Sequence, residues 1–317
     1  MVSEKGLAQP DCAILTGVTA SGKTALALKF CALHPELEII NADSLLFYRG
    51  MDIGTAKPTE HERSQTKHHL IDIRNPDEAY TAGDFAKDVE KARAEITAAG
   101  KRALIVGGSG FYLKALIYGL WDAPPTDLDL RTRLEKETSA TLYARLLAVD
   151  QPAALRIGQN DRYRLVRSLE IFELTSETPT ELQSRQNRTP NSRFKLLVLD
   201  RGTDELFSRI EERTKNMLVL GLVEEVSAIR KSYPTSRALD AVGYAQVIAF
   251  LDGTPPPGRK LNAGLSGLTS EIELATRQLV KRQRTWFRSE KSAHYFLMDQ
   301  DSKPLWQNLS EIYGVKP

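Results

Sequence analysis

Cysteine is scarce in this chain. Cys12 and Cys31 are the only two among 317 residues, and both sit in apolar runs. They read as buried thiols of a reducing compartment and argue against a disulfide framework or a cysteine metal site. Long hydrophobic runs are also missing: nothing approaches the roughly 20 apolar residues that span a bilayer. The opening "MVSEKGLAQPD" lacks the apolar core and small-residue site of a secretory leader. The expectation is a cytoplasmic protein. An excess of one charge is absent too, with 43 Lys and Arg against 41 Asp and Glu, a net +2. That balance is too small to argue by itself for a nucleic-acid partner.

What the chain does have is alternation. Residues 12–16, 37–41, 68–73 and 102–106 read as short buried strands, and 22–34 and 82–99 read as helices between them. This is βαβ spacing and predicts an α/β fold with a parallel sheet covered on both faces. Loops 17–24, 42–45 and 107–111 then converge on one edge, at the strands' carboxyl ends. From 126 to 193 the pattern changes to helices only, at 128–148, 150–157 and 161–175, flanked by "APPTD" and "NRTPNS". This predicts a small all-helical insertion over 126–193 within a core formed by 1–125 and 194–317. Strand 194–200 returns to the sheet, long helices follow near 203–231 and 269–288, and "DGTPPPGRK" reads as a loop.

The strongest motif is "GVTASGKT", Gly17 to Thr24, a complete G-x-x-x-x-G-K-[ST] between a strand and a helix. Its backbone N–H groups can form an anion nest, Lys23 adds a positive charge, and Thr24 can ligate Mg²⁺ at the helix N-terminus. A phosphate or diphosphate is expected here. Asp43 ends a strand at the same edge, and position alone leaves it open between capping the next turn and acting as a general base. "VGGSGFY" offers glycines and Ser109 where many nucleotide hydrolases hold a magnesium-binding acid, which weighs against an ATPase. No N-K-x-D motif supports a GTPase, while a small-molecule kinase remains open. Arg209 and Arg213 are four apart on a helix, and one of them could reach the phosphates. "DIGTAKP" taken alone is a surface loop with Lys57, and His68 and His69 read as structural. Arg277, Lys281, Arg284 and Arg288 follow steps of four, three and four, which places them on one helix face. With few acids interleaved, a polyanion partner gains weight.

Together these segments resemble the tRNA dimethylallyltransferase (isopentenyltransferase) family. The resemblance is carried by "GVTASGKTALA", "NADSLLFYRGMDIGTAKPT", "LIVGGSGFYLKAL", "NDRYRLVRSLEIFE", "RIEERTKNMLVLGLVEEV", "VGYAQ" and "ATRQLVKRQRTWFR", in family order. It implies a P-loop-like core that transfers a dimethylallyl group from its diphosphate to the N6 amine of the adenine 3′ of a tRNA anticodon. Gly17, Thr19, Ala20, Ser21, Gly22, Lys23 and Thr24 would hold the diphosphate, with Mg²⁺ on Thr24. Asp43 matches the family's general base, and Ser109 and Arg213 match its diphosphate contacts.

For tRNA the resemblance implies contacts from Asp43, Ser44, Leu45, Leu46 and Ser109, and from Arg131, Tyr163, Arg164 and Arg167 in the insertion. It adds Gly243, Tyr244 and Gln246, then Lys281, Arg282, Gln283, Arg284, Trp286 and Arg288 on the last long helix. The partners implied are therefore tRNA and dimethylallyl diphosphate, with a monomer as the working state. Departures from the family pattern are Val18 for proline, Ser109 for threonine, Tyr163 for glutamine, Glu177 for glycine and Ala245 for a basic residue.

Overall fold

A computed structural model describes residues 10–120, 123–185, 189–254, 264–298 and 302–316. The expected loop 252–260 and the "NRTPNS" hinge therefore lie partly outside the described residues. The chain divides into two compact units, Met1–Ile117 with Pro190–Pro317, and Tyr118–Thr189.

The first unit opens with β1 (Cys12–Gly17), α1 (Lys23–Leu33), β2 (Leu37–Asn41), α2 (Glu60–Gln65), β3 (His68–His69), α3 (Ala82–Ala98), β4 (Arg102–Val106) and α4 (Gly110–Tyr118). After the helical unit it continues with β5 (Phe194–Asp200), α10 (Thr203–Val219), α11 (Leu222–Ser232), a 3-10 turn at Arg237–Asp240, α12 (Tyr244–Leu251), α13 (Gly264–Ser289), β6 (Ala293–Leu297) and α14 (Lys303–Tyr313). The helical unit holds α5 (Leu128–Leu134), α6 (Ser139–Val149), α7 (Gln151–Ile157), α8 (Arg162–Thr175) and α9 (Pro179–Ser184).

Among the described residues six strands run β3-β2-β4-β1-β5-β6, and every pairing is parallel. All of β1 and β2 is buried, as strands covered on both faces are, and the one charge among them, Glu38, is held by His69 and Lys101. One face packs against Ala27, Phe30 and Cys31 of α1 and Leu305, Leu309 and Tyr313 of α14. The Tyr313 hydroxyl accepts from the Ala13 N–H and donates to the Ala103 carbonyl. That bond ties α14, which the sequence pattern did not reveal, across β1 and β4. A second core joins Met51 and Met217 to α11, α12 and α13 through Leu222, Val226, Tyr244, Val247, Leu268 and Ile272.

Three expected elements differ. The strand over 68–73 stops at His69, because Leu70 and Asp72 take positive φ of 61° and 55°. Asp72 is drawn away to Lys57 and Arg63. The helix over 128–148 is two helices, since the Thr138 hydroxyl accepts from the Thr141 N–H and starts α6 afresh. The helix over 203–231 breaks at Gly221, whose φ of +100° suits a residue without a Cβ.

The helical unit has its own core of Leu130, Leu134, Leu142, Leu146, Leu165, Val166 and Leu169. Buried Asp150 caps α7 through the Ala153 N–H and also accepts from the backbone and hydroxyl of Thr180. Both thiols are buried, and burial pushes Cys12 and Cys31 up to about 12, so they stay protonated. Among the described residues no helix is long and apolar enough to cross a membrane.

Candidate functional site

Parallel pairing carries the ends of β1, β2, β4 and β5 to one edge, and the candidate site lies there. After Gly17, which closes β1, the loop turns through Ala20 at φ +63° and Gly22 at +92°. This left-handed geometry curls successive N–H groups inward. Helix α1 begins at Lys23 with no side-chain cap and no acid in its first turn, so its N-terminal donors stay available to an anion. Ser21 Oγ is buried with no hydrogen-bond partner, an orphaned donor that fits a loop made to surround phosphate oxygens. Two arginines brace the loop from behind. Arg201, just past β5, donates to the Ser21 carbonyl at 2.9 Å, and Arg209 of α10 donates to the Ala20 carbonyl at 2.8 Å. Sequence reasoning missed Arg201; its place directly after a strand paired with β1 was the available signal.

Asp43 follows β2. Its N–H donates to Asn41 Oδ1 at 2.8 Å, and its Oδ1 accepts from the Leu45 N–H at 3.1 Å. The capping role weighed for Asp43 is therefore real, yet it uses one oxygen; Oδ2 accepts no hydrogen bond among the described residues. Ser109 Oγ accepts from the Ser44 N–H at 2.8 Å and donates to Ser44 Oγ at 3.0 Å, which pins the loop after β4 to the loop after β2. For Ser109 to donate to a diphosphate, that proton must turn away from Ser44.

Arg213 of α10 donates to the Thr55 carbonyl at 3.3 Å. Burial lowers its basicity, and the nearby Asp43 carboxylate partly restores it. Lys23 shows the same opposition. Burial lowers it to about 8, with Asp43 raising and Arg213 lowering it.

A cavity of about 570 Å³ is lined by Thr19, Lys23, Asp43, Ser44, Leu45, Ser109, Arg213, Gly243, Arg282, Gln283 and Trp286, with Phe111, Ile210, Met217, Ile272 and Leu279 as apolar wall. A second, of about 900 Å³, shares Thr19, Lys23, Asp43 and Arg213 and adds Ala20, Gly22, Thr24 and Leu46. An apolar wall beside clustered cations and the Asp43 carboxylate suits a hydrocarbon carried on a polyphosphate. The donor set fits a divalent ion only in part. Thr24 stands at the start of α1, but no group of three or more His, Cys, Asp or Glu among the described residues could hold a metal. An ion here would depend on phosphate oxygens for most of its ligands.

The "DIGTAKP" loop is more than surface. Lys57 is buried on Asp52, Asp72 and the Tyr48 carbonyl. Glu225 gathers the N–H groups of Asp52, Ile53 and Gly54 and the Tyr244 hydroxyl. Tyr244, expected to meet RNA, is fully buried. Its ring lies so close to Gly54 that an added Cβ would stand 2.5 Å away, so it shapes the loop and offers RNA no surface. Gln246 accepts from the Gly243 N–H at the start of α12.

The basic face of α13 divides. Lys281, Arg282 and Arg288 are exposed and carry no ion pair among the described residues. Arg284 is held by Asp200 through Nε and Nη2 and donates to the Arg201 carbonyl, so it locks α13 to the end of β5. Arg277 pairs with Glu273 and lies over the Phe207 ring.

In the helical unit, Arg131 lies over the Tyr163 ring at 5.3 Å and 3.7 Å from Glu170. Arg167 is taken by buried Glu170 and the Pro124 carbonyl, and Arg164 pairs with Asp161. His69 meets Glu38 at 2.6 Å. Burial pushes Glu38 up, but hydrogen bonds from Lys101 and His69 win and hold it at about 2.

The strand order and the loop after β1 make this a phosphate-loop α/β protein. Within that class the chain belongs to the IPP transferase family, whose model matches residues 46–290. It is 42% identical over 291 residues to the tRNA dimethylallyltransferase of Thiobacillus denitrificans, covering 89% of this chain and 90% of the relative. It is 43% identical over 289 residues to that of Paraburkholderia xenovorans, covering 87% and 88%. The crystal structure of full-length tRNA isopentenylpyrophosphate transferase from Bacillus halodurans superposes with TM-score 0.67 at 30% identity, covering 96% of each chain. A eukaryotic dimethylallyltransferase captured acting on tRNA shares the fold at TM-score 0.79 and 22% identity, covering 98% of this chain and 81% of that one.

Proposed function

We propose that this chain transfers a dimethylallyl group from dimethylallyl diphosphate to the N6 amine of the adenine 3′ of the anticodon in tRNA, giving N6-isopentenyladenosine and diphosphate. The observation that carries the reading is the meeting of the phosphate loop, Asp43 and Arg213 around one apolar-walled cavity. Kinship to enzymes named tRNA dimethylallyltransferase supplies the reaction. A small-molecule kinase, the other reading of the loop, is not favoured by those relatives.

In the reaction the bond from the allylic carbon to the diphosphate oxygen breaks, and its electron pair leaves with the diphosphate. The adenine nitrogen bonds that carbon and gives up a proton. Asp43 Oδ2 is the acceptor for this proton, with Oδ1 anchored to the Leu45 N–H to aim the carboxylate. Lys23, Arg213, the loop N–H groups and Ser21 Oγ stabilise charge on the departing diphosphate, and Arg201 and Arg209 keep the loop in shape. Mg²⁺ on Thr24 would supply further neutralisation of that charge. The apolar wall of Ile210, Met217, Ile272 and Leu279 excludes water from the allylic carbon.

Lys281, Arg282 and Arg288 bind the tRNA backbone together with the helical unit, where Arg131 and Tyr163 offer a stacked pair. The enzyme acts as a monomer. Free, buried thiols and a tRNA substrate support a cytoplasmic setting.

The test is transfer of labelled dimethylallyl to unmodified tRNA by wild type and Asp43→Asn. Asn keeps the turn-capping oxygen and loses the base, so turnover should fall by about 10²–10⁴ while tRNA binding and thermal stability hold. Normal turnover by the variant removes Asp43 as the base. No transfer by wild type removes the reaction.

A further inference from the structure

Gln283 lies on α13 between two basic residues of different fate, exposed Arg282 and Asp200-bound Arg284. Its resemblance-based role is contact with tRNA, yet its side chain turns inward. Oε1 accepts from the Thr19 N–H at 2.9 Å, inside the phosphate loop, and Nε2 donates to the Gly108 carbonyl at 3.2 Å, in the turn after β4. A side-chain amide can accept at its oxygen and donate from its nitrogen, which is what these two contacts require. The three groups meet tightly: a Cβ on Gly108 would stand 3.2 Å from Gln283 Nε2 and 3.5 Å from Lys23 Nζ. From Gly108 the connection continues through Ser109, whose hydroxyl holds Ser44 beside Asp43.

We propose that Gln283 is a positioning residue for diphosphate, setting the separation between the phosphate loop and the 107–110 turn. It links the loops that leave the paired strands β1 and β4. Thr19 is thereby turned toward Gln283 and the Ser21 N–H goes to the Val18 carbonyl, while the N–H groups of Ala20, Gly22, Lys23 and Thr24 are left to the ligand. Because Ser109 relays the same contact to Ser44, the bridge also sets Asp43 against the bound diphosphate. The inference rests on the transferase reading for its effect on turnover, while its effect on diphosphate binding stands apart from that reading.

The experiment uses the full chain and two readouts. Gln283→Met preserves length and removes both hydrogen bonds; should it fail to fold, Gln283→Ala is read in the same way. Calorimetry with inorganic diphosphate should show affinity reduced about tenfold, the order expected for two lost neutral hydrogen bonds in a preorganised site. In the transfer assay KM for dimethylallyl diphosphate should rise and kcat should fall, with the dissociation constant for tRNA unchanged. Lys281→Ala, on the same helix, should show the reverse: weakened tRNA binding and unaltered affinity for inorganic diphosphate. A lower melting temperature with unchanged diphosphate affinity and KM would make Gln283 merely structural and overturn the proposal. Weakened tRNA binding with unchanged diphosphate affinity would overturn it in favour of direct RNA contact. Weakened diphosphate binding in a protein without transfer activity would sustain the proposal and sink the transferase reading.

Discussion

Lys23 carries the sharpest single-residue consequence. Burial lowers it to about 8 from the 10.5 of an ordinary lysine, against the opposing pull of Asp43. In the ligand-free protein its charge is therefore lost as pH rises through about 8. KM for dimethylallyl diphosphate should be flat below that value and climb above it, by up to about tenfold per pH unit. Stability moves the other way. The unfolded chain holds this proton more tightly, so the penalty for burying the charge is fully present below pH 8 and is relieved between about 8 and 10.5. Lys23→Met should accordingly stabilise the ligand-free protein at pH 7, by on the order of 1–3 kcal/mol, while abolishing diphosphate binding. Thermal melts and calorimetry with inorganic diphosphate check both halves.

At the level of elements, α13 is basic along its length but only part of that charge is available. Arg284 and Asp200 are each less than a quarter exposed, with side-chain exposures of 19% and 23%. Removing the guanidinium strands a carboxylate and frees the end of β5. Arg284→Ala should cost about 2–3 kcal/mol in chemical denaturation, whereas Lys281→Ala should stay within about 0.5 kcal/mol. The strap formed by 52–57 is the second such element. Glu225 and Lys57 hold it at either end, and its Thr55 carbonyl takes Arg213. Gly54→Ala would drive a methyl into the Tyr244 ring, so it should destabilise by about 1–3 kcal/mol and raise KM for dimethylallyl diphosphate through Arg213. Unchanged melting and KM would show that the strap does not position Arg213.

Across the whole molecule a net charge of +2 hides an uneven distribution, and tRNA binding should report it through salt. The logarithm of affinity should fall linearly with that of salt, with a slope near −0.7 per phosphate neutralised on single-stranded RNA. Lys281→Ala and Arg288→Ala should each reduce the slope by about that amount. Arg284→Ala and Arg167→Ala should leave it unchanged, since Asp200 and Glu170 already neutralise them. Filter binding across a salt series distinguishes the two pairs. A common slope change for all four would mean that the intramolecular pairs open on binding.

Periodicity and short-range chemistry were enough to determine the parallel sheet, the phosphate loop and the all-helical stretch. Unbroken apolar runs such as "CAILTG" and a loop whose glycines, lysine and threonine are contiguous need no distant partner to be read. Asp43 was legible as a residue at the functional edge, because parallel strands bring all their carboxyl ends together. Its division of labour, one oxygen on Leu45 and the other without a hydrogen bond, was not.

What only the tertiary structure decided was which like charges do unlike work. Arg284 and Lys281 sit on the same helix, yet Arg284 is held by Asp200 while Lys281 stays exposed; Arg209 and Arg213 share another, yet one meets the Ala20 carbonyl and the other that of Thr55. Tyr244 and Lys57 turned inward, and Gln283 reached the phosphate loop from 264 residues away in sequence. These outcomes depend on contacts between segments distant along the chain. No local pattern encodes them, because a buried polar group is settled by whichever partner the folded chain brings within hydrogen-bonding reach.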